Sequence, residues 1–125
     1  MEKVAAYICL KNSKNYLKDN LLSQVEYYCN LKEYNYDIYI DEVENRLSLD
    51  RKELNRLMED IKEHKYSKLI IRGITHLSRN SYDNTFFLRF LEDNNCKIEC
   101  IDGTDLILYK EIVEHFNRKK EEKIR

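Results

Sequence analysis

Proline is absent from this 125-residue chain, and glycine occurs only at positions 73 and 103. Two glycines exclude a glycine-rich phosphate loop and a dinucleotide-binding fingerprint, since both need several at fixed spacing. No apolar run approaches the roughly 18 residues of a membrane-spanning helix. The opening Met1-Glu2-Lys3-Val4 leads straight into a strand-like pattern rather than a signal peptide, so a cytoplasmic protein is expected. The four cysteines (Cys9, Cys29, Cys96, Cys100) form no C-x-x-C pair, and His64, His76 and His115 fall at no ligand spacing. No metal or other cofactor is therefore expected. Cys96 and Cys100 would share one face of a strand, and all four cysteines read as small buried hydrophobes in a reducing compartment. The net charge of −1 argues against nucleic-acid binding by bulk electrostatics, although a local basic patch remains open.

What is present points to one globular domain. The length suffices for one hydrophobic core and not for two. Hydrophobic residues make up 42% and charged residues 36%, which predicts a folded chain with a densely charged surface. Val4 to Leu10 is a continuous apolar run, as in a central parallel strand buried on both faces. A polar loop is expected over 11–19, then a helix capped by Asn20 and running to Leu31, with Leu21, Val25, Tyr28 and Leu31 on one stripe. Tyr36 to Val43 reads as a second strand and 44–49 as a polar loop. Asp50 with Glu53 resembles a capping box before Leu54, Leu57, Met58 and Ile61 at helical spacing. Ser67 to Ile71 gives a third strand. Asn80 or Ser81 caps a helix whose Phe86, Phe87, Leu88, Phe90 and Leu91 are largely core. Cys96 to Ile101 gives a fourth strand, and a last helix starts near Asp105 with Leu106, Tyr109, Ile112, Val113 and Phe116 as its apolar face. Strands alternating with helices predict parallel pairing through right-handed crossovers. The expected fold class is α/β: a three-layer α/β/α sandwich on a mainly parallel sheet of four to five strands, plus a long C-terminal helix.

The chemistry is expected in the loop Ile74-Thr75-His76-Leu77-Ser78-Arg79-Asn80. It directly follows the third strand, and α/β domains place their sites beyond the carboxyl ends of such strands. This loop resembles the Asp-Arg-Leu-Ser-Arg-Asn segment of the serine recombinases, the resolvase/invertase family. Four other segments resemble that family in order. They are Val4 to Lys11 for the opening Tyr-x-Arg-Val-Ser strand, Ser23-Gln24 for the first helix, Asp41-Glu42 after strand two, and Asp50-Arg51 ahead of the next helix. The resemblance runs from about Val4 to about Leu108. It implies a resolvase-like catalytic domain over 1–104 and, over 105–125, a dimerisation-type helix of the same domain.

In that family a serine at the end of the first strand attacks a DNA phosphodiester, leaving a 5′-phosphoserine bond and a free 3′-hydroxyl. Several guanidinium groups are needed to hold the phosphoryl oxygens. Aligned on Tyr7, Cys9 falls where the family has its first arginine, and Lys11 falls on the nucleophilic serine. A lysine amine does not replace a hydroxyl that forms a reversible phosphoester, so Lys11 is not expected to act as nucleophile, although it can bind an anion as a point charge. Arg51 and Arg79 match two phosphate-binding arginines. Thr75 falls on an acidic position, His76 on an arginine position and Ser78 on a variable small one. Ser13, two residues past the expected place, is a weak alternative nucleophile. Each survivor also has a structural reading. Arg51 pairs with a nearby carboxylate such as Asp50 or Glu42, Arg79 bridges its loop to the body, His76 is a hydrogen-bonded loop residue, and Ser13 is a solvated loop serine.

The function implied is that of a recombinase-type domain with a decayed site, associated with DNA recombination. The alternative is a non-enzymatic dimerisation or regulatory partner of an intact recombinase. Expected partners are DNA, bound weakly because no separate DNA-reading domain lies in these residues, and a second copy or a recombinase docked through the last helix. That helix ends in Arg118, Lys119, Lys120, Lys123 and Arg125, which a solvated helix end explains equally well. A receiver-like domain would need clustered acids after strand one, where this chain has Cys9-Leu10-Lys11-Asn12.

Overall fold

Every residue from Val4 to Leu10 is buried, because β1 (Lys3–Lys11) is the inner strand of the sheet and is covered on both sides. In a computed structural model of the chain, which describes residues 3–11, 15–43, 51–78 and 80–124, β1 pairs in parallel with β2 (Asn35–Val43) on one edge. On its other edge it pairs in parallel with β3 (Lys68–Ile71), and β4 (Lys97–Cys100) extends the sheet beyond β3. The strand order is β2-β1-β3-β4. Each strand is followed by a helix: α1 (Asn15–Leu31), α2 (Lys52–Lys62), α3 (Ser81–Asp93) and α4 (Leu106–Ile124), with a 3-10 turn at Ile74–His76 ahead of α3.

The period-two alternation of β1 splits the core in two. Val4, Ala6, Ile8 and Leu10, with Ile70, face Val25 and Cys29 of α1. Ala5, Tyr7 and Cys9, with Leu69 and Ile71, face Leu54, Leu57 and Ile61 of α2, Phe87, Leu88 and Leu91 of α3, and Leu106 of α4. The three-layer parallel α/β/α architecture expected from the sequence is the one found, with four strands among the described residues.

Several boundaries differ, each for a physical reason. α1 begins at Asn15, not Asn20. Its first turn, Asn15-Tyr16-Leu17-Lys18, carries Leu17 four residues before Leu21, so the helical spacing reaches back past Asn20, and Lys18 in that turn pairs with Glu42 at 3.1 Å. Ser23 and Gln24 consequently sit inside α1 rather than at its start. α2 begins at Lys52, and its capping differs from the Asp50/Glu53 box: the Glu53 carboxylate binds Arg56 at 2.7 Å, and the first-turn amides are met from elsewhere in the fold. Asp50 itself lies outside the described residues. Asn80 caps α3, its side chain accepting from the Tyr82 and Asp83 amides, while Asp105 accepts from the Leu108 amide at the start of α4. The α4 stripe is only partly core: Leu106 is buried, Ile112 and Phe116 are exposed. With so little glycine, the turns after α1, α2 and α3 place Glu33, His64 and Asn95 in the left-handed region, at φ 59°, 60° and 56°. Such a backbone costs an L-residue roughly 1–2 kcal/mol, least for asparagine.

Tyrosine–carboxylate contacts tie the layers at the amino-terminal side of the sheet. Tyr28 and Tyr34 both donate to Glu99 on β4, joined by Lys68 at 3.5 Å. On the opposite face Tyr39 donates to Asp60, Tyr66 donates to Asp37 at 2.7 Å, and Lys3 pairs with Asp37 at 3.0 Å. Burial pushes the Glu99 carboxyl up, but the Tyr28 and Tyr34 hydroxyls and the Lys68 charge outweigh it, and the net shift is downward. The Tyr66 hydroxyl and Lys3 lower Asp37, and the Tyr39 hydroxyl lowers Asp60. A carboxyl whose folded value lies below its unfolded one stabilises the fold above the unfolded value, and that contribution disappears as pH falls through the folded one. The thermal midpoint should therefore hold steady above about pH 5 and fall progressively below about pH 4. Tyr28→Phe should flatten part of that acid slope, and a midpoint independent of pH down to about pH 3 would contradict the assignment.

Candidate active site

β1 and β3 lie side by side, but the chain leaves β1 towards β2 and leaves β3 towards β4. Their carboxyl ends therefore form a topological switch point, where open α/β sheets leave a crevice. Three segments meet there: the end of β1, the 3-10 turn after β3, and the start of α2.

Asp41 is the buried carboxylate of this site. Its position in β2 has the same parity as Tyr39, so its carboxylate points into the α2-side core and only 7% of the residue is exposed. Oδ1 accepts from the Glu53 amide and Oδ2 from the Leu54 amide, both at 2.9 Å. Asp41 is thus the cap of α2, supplied from a neighbouring strand and favoured there by the helix dipole. Oδ2 also accepts from the Tyr7 hydroxyl at 2.8 Å. Burial raises the Tyr7 hydroxyl far above its ordinary value, so it stays protonated and serves as a donor.

Arg51 immediately precedes α2, in extended backbone at φ −137° and ψ 136°. Its guanidinium turns inward and the residue is 4% exposed. Nη1 donates to the His76 carbonyl at 2.7 Å and to the Tyr7 hydroxyl at 3.3 Å. Glu42, one of the carboxylates considered for Arg51, pairs with Lys18 at 3.1 Å, and Asp50, the other, lies outside the described residues. His76 is buried, and its Nδ1 accepts from the Cys9 amide at 3.3 Å, so that nitrogen carries no proton in this arrangement. Ser78 is buried as well; its Oγ accepts from the Asn80 amide and its carbonyl accepts from the Asn84 side chain. An added Cβ at Gly73 would lie 2.6 Å from Asp102 Oδ2, the tip of an exposed side chain that would have to swing aside.

Of the residues picked from the sequence, the structure brings Arg51 and His76 into direct contact. Lys11 is the exposed last residue of β1, opposite Val43 in the β1–β2 register. Ser13 and Arg79 lie outside the described residues. Tyr7 and Asp41 had served only as markers of resemblance, yet they hold the cluster together. A sequence signal existed for Asp41: an acid at an inward-facing position of a strand needs a partner. All four cysteines are buried free thiols, and burial raises Cys29 and Cys96 to about 11 and Cys100 to about 12, so these three stay protonated and inert. Among the described residues no group of His, Cys, Asp and Glu is placed to hold a metal ion, and no helix is long and apolar enough to cross a membrane.

This fold, with its crevice between the ends of β1 and β3, is that of the serine recombinase catalytic domains. The family model for the resolvase N-terminal domain matches residues 6–117, and the chain belongs to that family. Among solved structures, the N-terminal catalytic domain of TP901-1 integrase superposes with a TM-score of 0.82 at 20% identity, covering 97% of this chain and 98% of that one. A resolvase family site-specific recombinase from Streptococcus pneumoniae superposes with a TM-score of 0.79 at 23% identity, covering 100% and 91%. The C-terminal catalytic domain of ISC1926 TnpA, an IS607-like serine recombinase, gives 0.73 at 18% identity, covering 88% and 77%. A search of curated proteins finds no match.

Asp41→Ala removes a carboxylate that satisfies two helix amides and one buried hydroxyl. It should destabilise the protein by about 2–4 kcal/mol in urea unfolding with an unchanged slope. A loss below about 0.5 kcal/mol would mean that α2 is capped some other way.

Proposed function

We propose that this chain is a resolvase-type catalytic domain, residues 1–104 with the helix 105–125 as part of the same domain, that no longer cleaves DNA. In this reading it acts in DNA recombination as a non-enzymatic partner. The observation that carries the reading is Lys11 at the end of β1, where the resemblance requires the nucleophilic serine. Positioning and electrostatics without the attacking group would leave strand cleavage lower by many orders of magnitude. Two further observations support it. Cys9, on an arginine position, is wholly inside the core. Arg51, a phosphate-binding arginine by resemblance, directs Nη1 to the Tyr7 hydroxyl and the His76 carbonyl within the protein.

The partner surface in this reading is α4. Leu108, Ile112 and Phe116 recur every fourth residue and are 53%, 46% and 60% exposed. Tyr82 and Phe86 of α3 are exposed too, and α3 is tied to α4 by Arg89–Glu114 and Lys110–Glu92 ion pairs, each 2.7 Å. A cluster of large apolar side chains of this kind marks an association surface. The occupant proposed is a second copy of this chain or an intact recombinase, with DNA held weakly.

A second reading keeps the enzyme active through Ser13, two residues beyond Lys11. A cleavage trap separates the two. The purified chain is incubated in glycol with supercoiled DNA carrying candidate crossover sites, alongside an intact relative. No protein should become linked to a 5′ end while the relative reacts. A covalent adduct that disappears in Ser13→Ala would establish the active reading instead.

The partner surface has its own test. Sedimentation equilibrium of the chain alone, and of the chain co-expressed with an intact recombinase, should show a dimer in at least one case. Ile112→Asp with Phe116→Asp should weaken that dimer at least about 100-fold without lowering the thermal midpoint. A monomer in both cases would remove the partner reading.

A further inference from the structure

Away from the switch point, the space enclosed by α3, β4 and the start of α4 is not filled by side chains. It forms an open cavity of about 550 Å³. Leu88 and Leu91 of α3, Ile98 of β4 and Leu106 of α4 supply apolar walls. They come together because β4 is an edge strand: with no further strand beside it among the described residues, α4 passes over the margin of the sheet and leaves a gap beneath its first turns. The volume lies within the roughly 300–1,000 Å³ typical of small-molecule pockets.

The rim is not neutral. Lys97 and Lys110 border the opening against the single carboxylate of Glu92, which leaves one positive charge in excess. Lys110 binds Glu92 at 2.7 Å with its side chain 17% exposed, and Lys97 is exposed. Apolar walls beneath a cationic mouth suit a ligand with an apolar body and one anionic end. A wholly apolar ligand would gain nothing from the lysines, and a highly charged one would leave its charge against leucine.

We propose that this cavity binds a small amphipathic anion, an acyl chain or ring system carrying one carboxylate, with the apolar part against Leu88, Leu91, Ile98 and Leu106 and the carboxylate at Lys97 and Lys110. The site is independent of the switch-point cluster and of whether the chain cleaves DNA.

The test is calorimetric titration of the full chain with decanoate, using decanol as the uncharged match. Decanoate should bind saturably with one site per chain, and more tightly than decanol. Ile98→Trp, which fills the cavity from a half-buried position, should weaken decanoate at least about tenfold at an unchanged thermal midpoint. Lys97→Gln with Lys110→Gln should bring decanoate down to the level of decanol while leaving decanol unaltered, and this pair decides the matter should the tryptophan variant not fold. No saturable binding near about 1 mM decanoate would overturn the proposal, as would equal affinity for acid and alcohol or binding indifferent to both variants.

Discussion

A buried carboxylate without partners costs several kcal/mol, and Asp41 is placed where only this protein can satisfy it. Its solution fixes the upper end of the molecule. The two α2 amides that reach it determine where α2 starts. The Tyr7 hydroxyl that reaches it locks β1 to β2 across the α2-side core. Because α2 starts at Lys52, Arg51 stands at its entrance in extended backbone, and its guanidinium meets the His76 carbonyl. That contact positions the turn after β3. One inward acid therefore couples β1, β2, α2 and the 3-10 turn, the pieces that make the crevice.

This dependence explains which parts of the molecule a sequence reader sees. The parallel sheet was legible because burial leaves a simple pattern: an unbroken apolar run in β1, and helical spacing at Leu54, Leu57 and Ile61. The family resemblance was legible because five short segments kept their order over nearly the whole chain. The cap of α2 was not, because Asp41 reaches the Glu53 amide from 12 residues earlier in the chain. A local capping rule sees Asp50 and stops there. The first turn of α1 was missed for a local reason: Asn20 reads as a helix cap, although Leu17 already lies four residues before Leu21 at helical spacing. Arg51 and His76 were legible as types at motif positions, but their mutual contact arises from tertiary structure.

The two ends of the sheet solve the same problem with different chemistry. At the amino-terminal side, Tyr28, Tyr34, Tyr39 and Tyr66 bring apolar rings inward and present hydroxyls to Glu99, Asp60 and Asp37. Those carboxyls stay partly exposed, keep lysine neighbours, and remain ionised at low cost. At the carboxyl side Asp41 is nearly dry and relies on helix amides and one hydroxyl. Of the chain's ten tyrosines, these four join the layers at the amino-terminal side through their hydroxyls.

The floor of the crevice bears on the chemistry in a similar way. Cys9 and Leu77 are fully buried and His76 nearly so, and the His76 ring presents an acceptor nitrogen to the Cys9 amide. A phosphoryl group gathers negative charge during transfer and needs fixed cations around it. A thiol in the core and an imidazole accepting at Nδ1 are not such cations. An arginine at position 9 would have to carry its guanidinium out of a fully buried site and would disturb the core. The shape of the crevice is set from within the protein by the contacts of Asp41, Tyr7, Arg51 and His76.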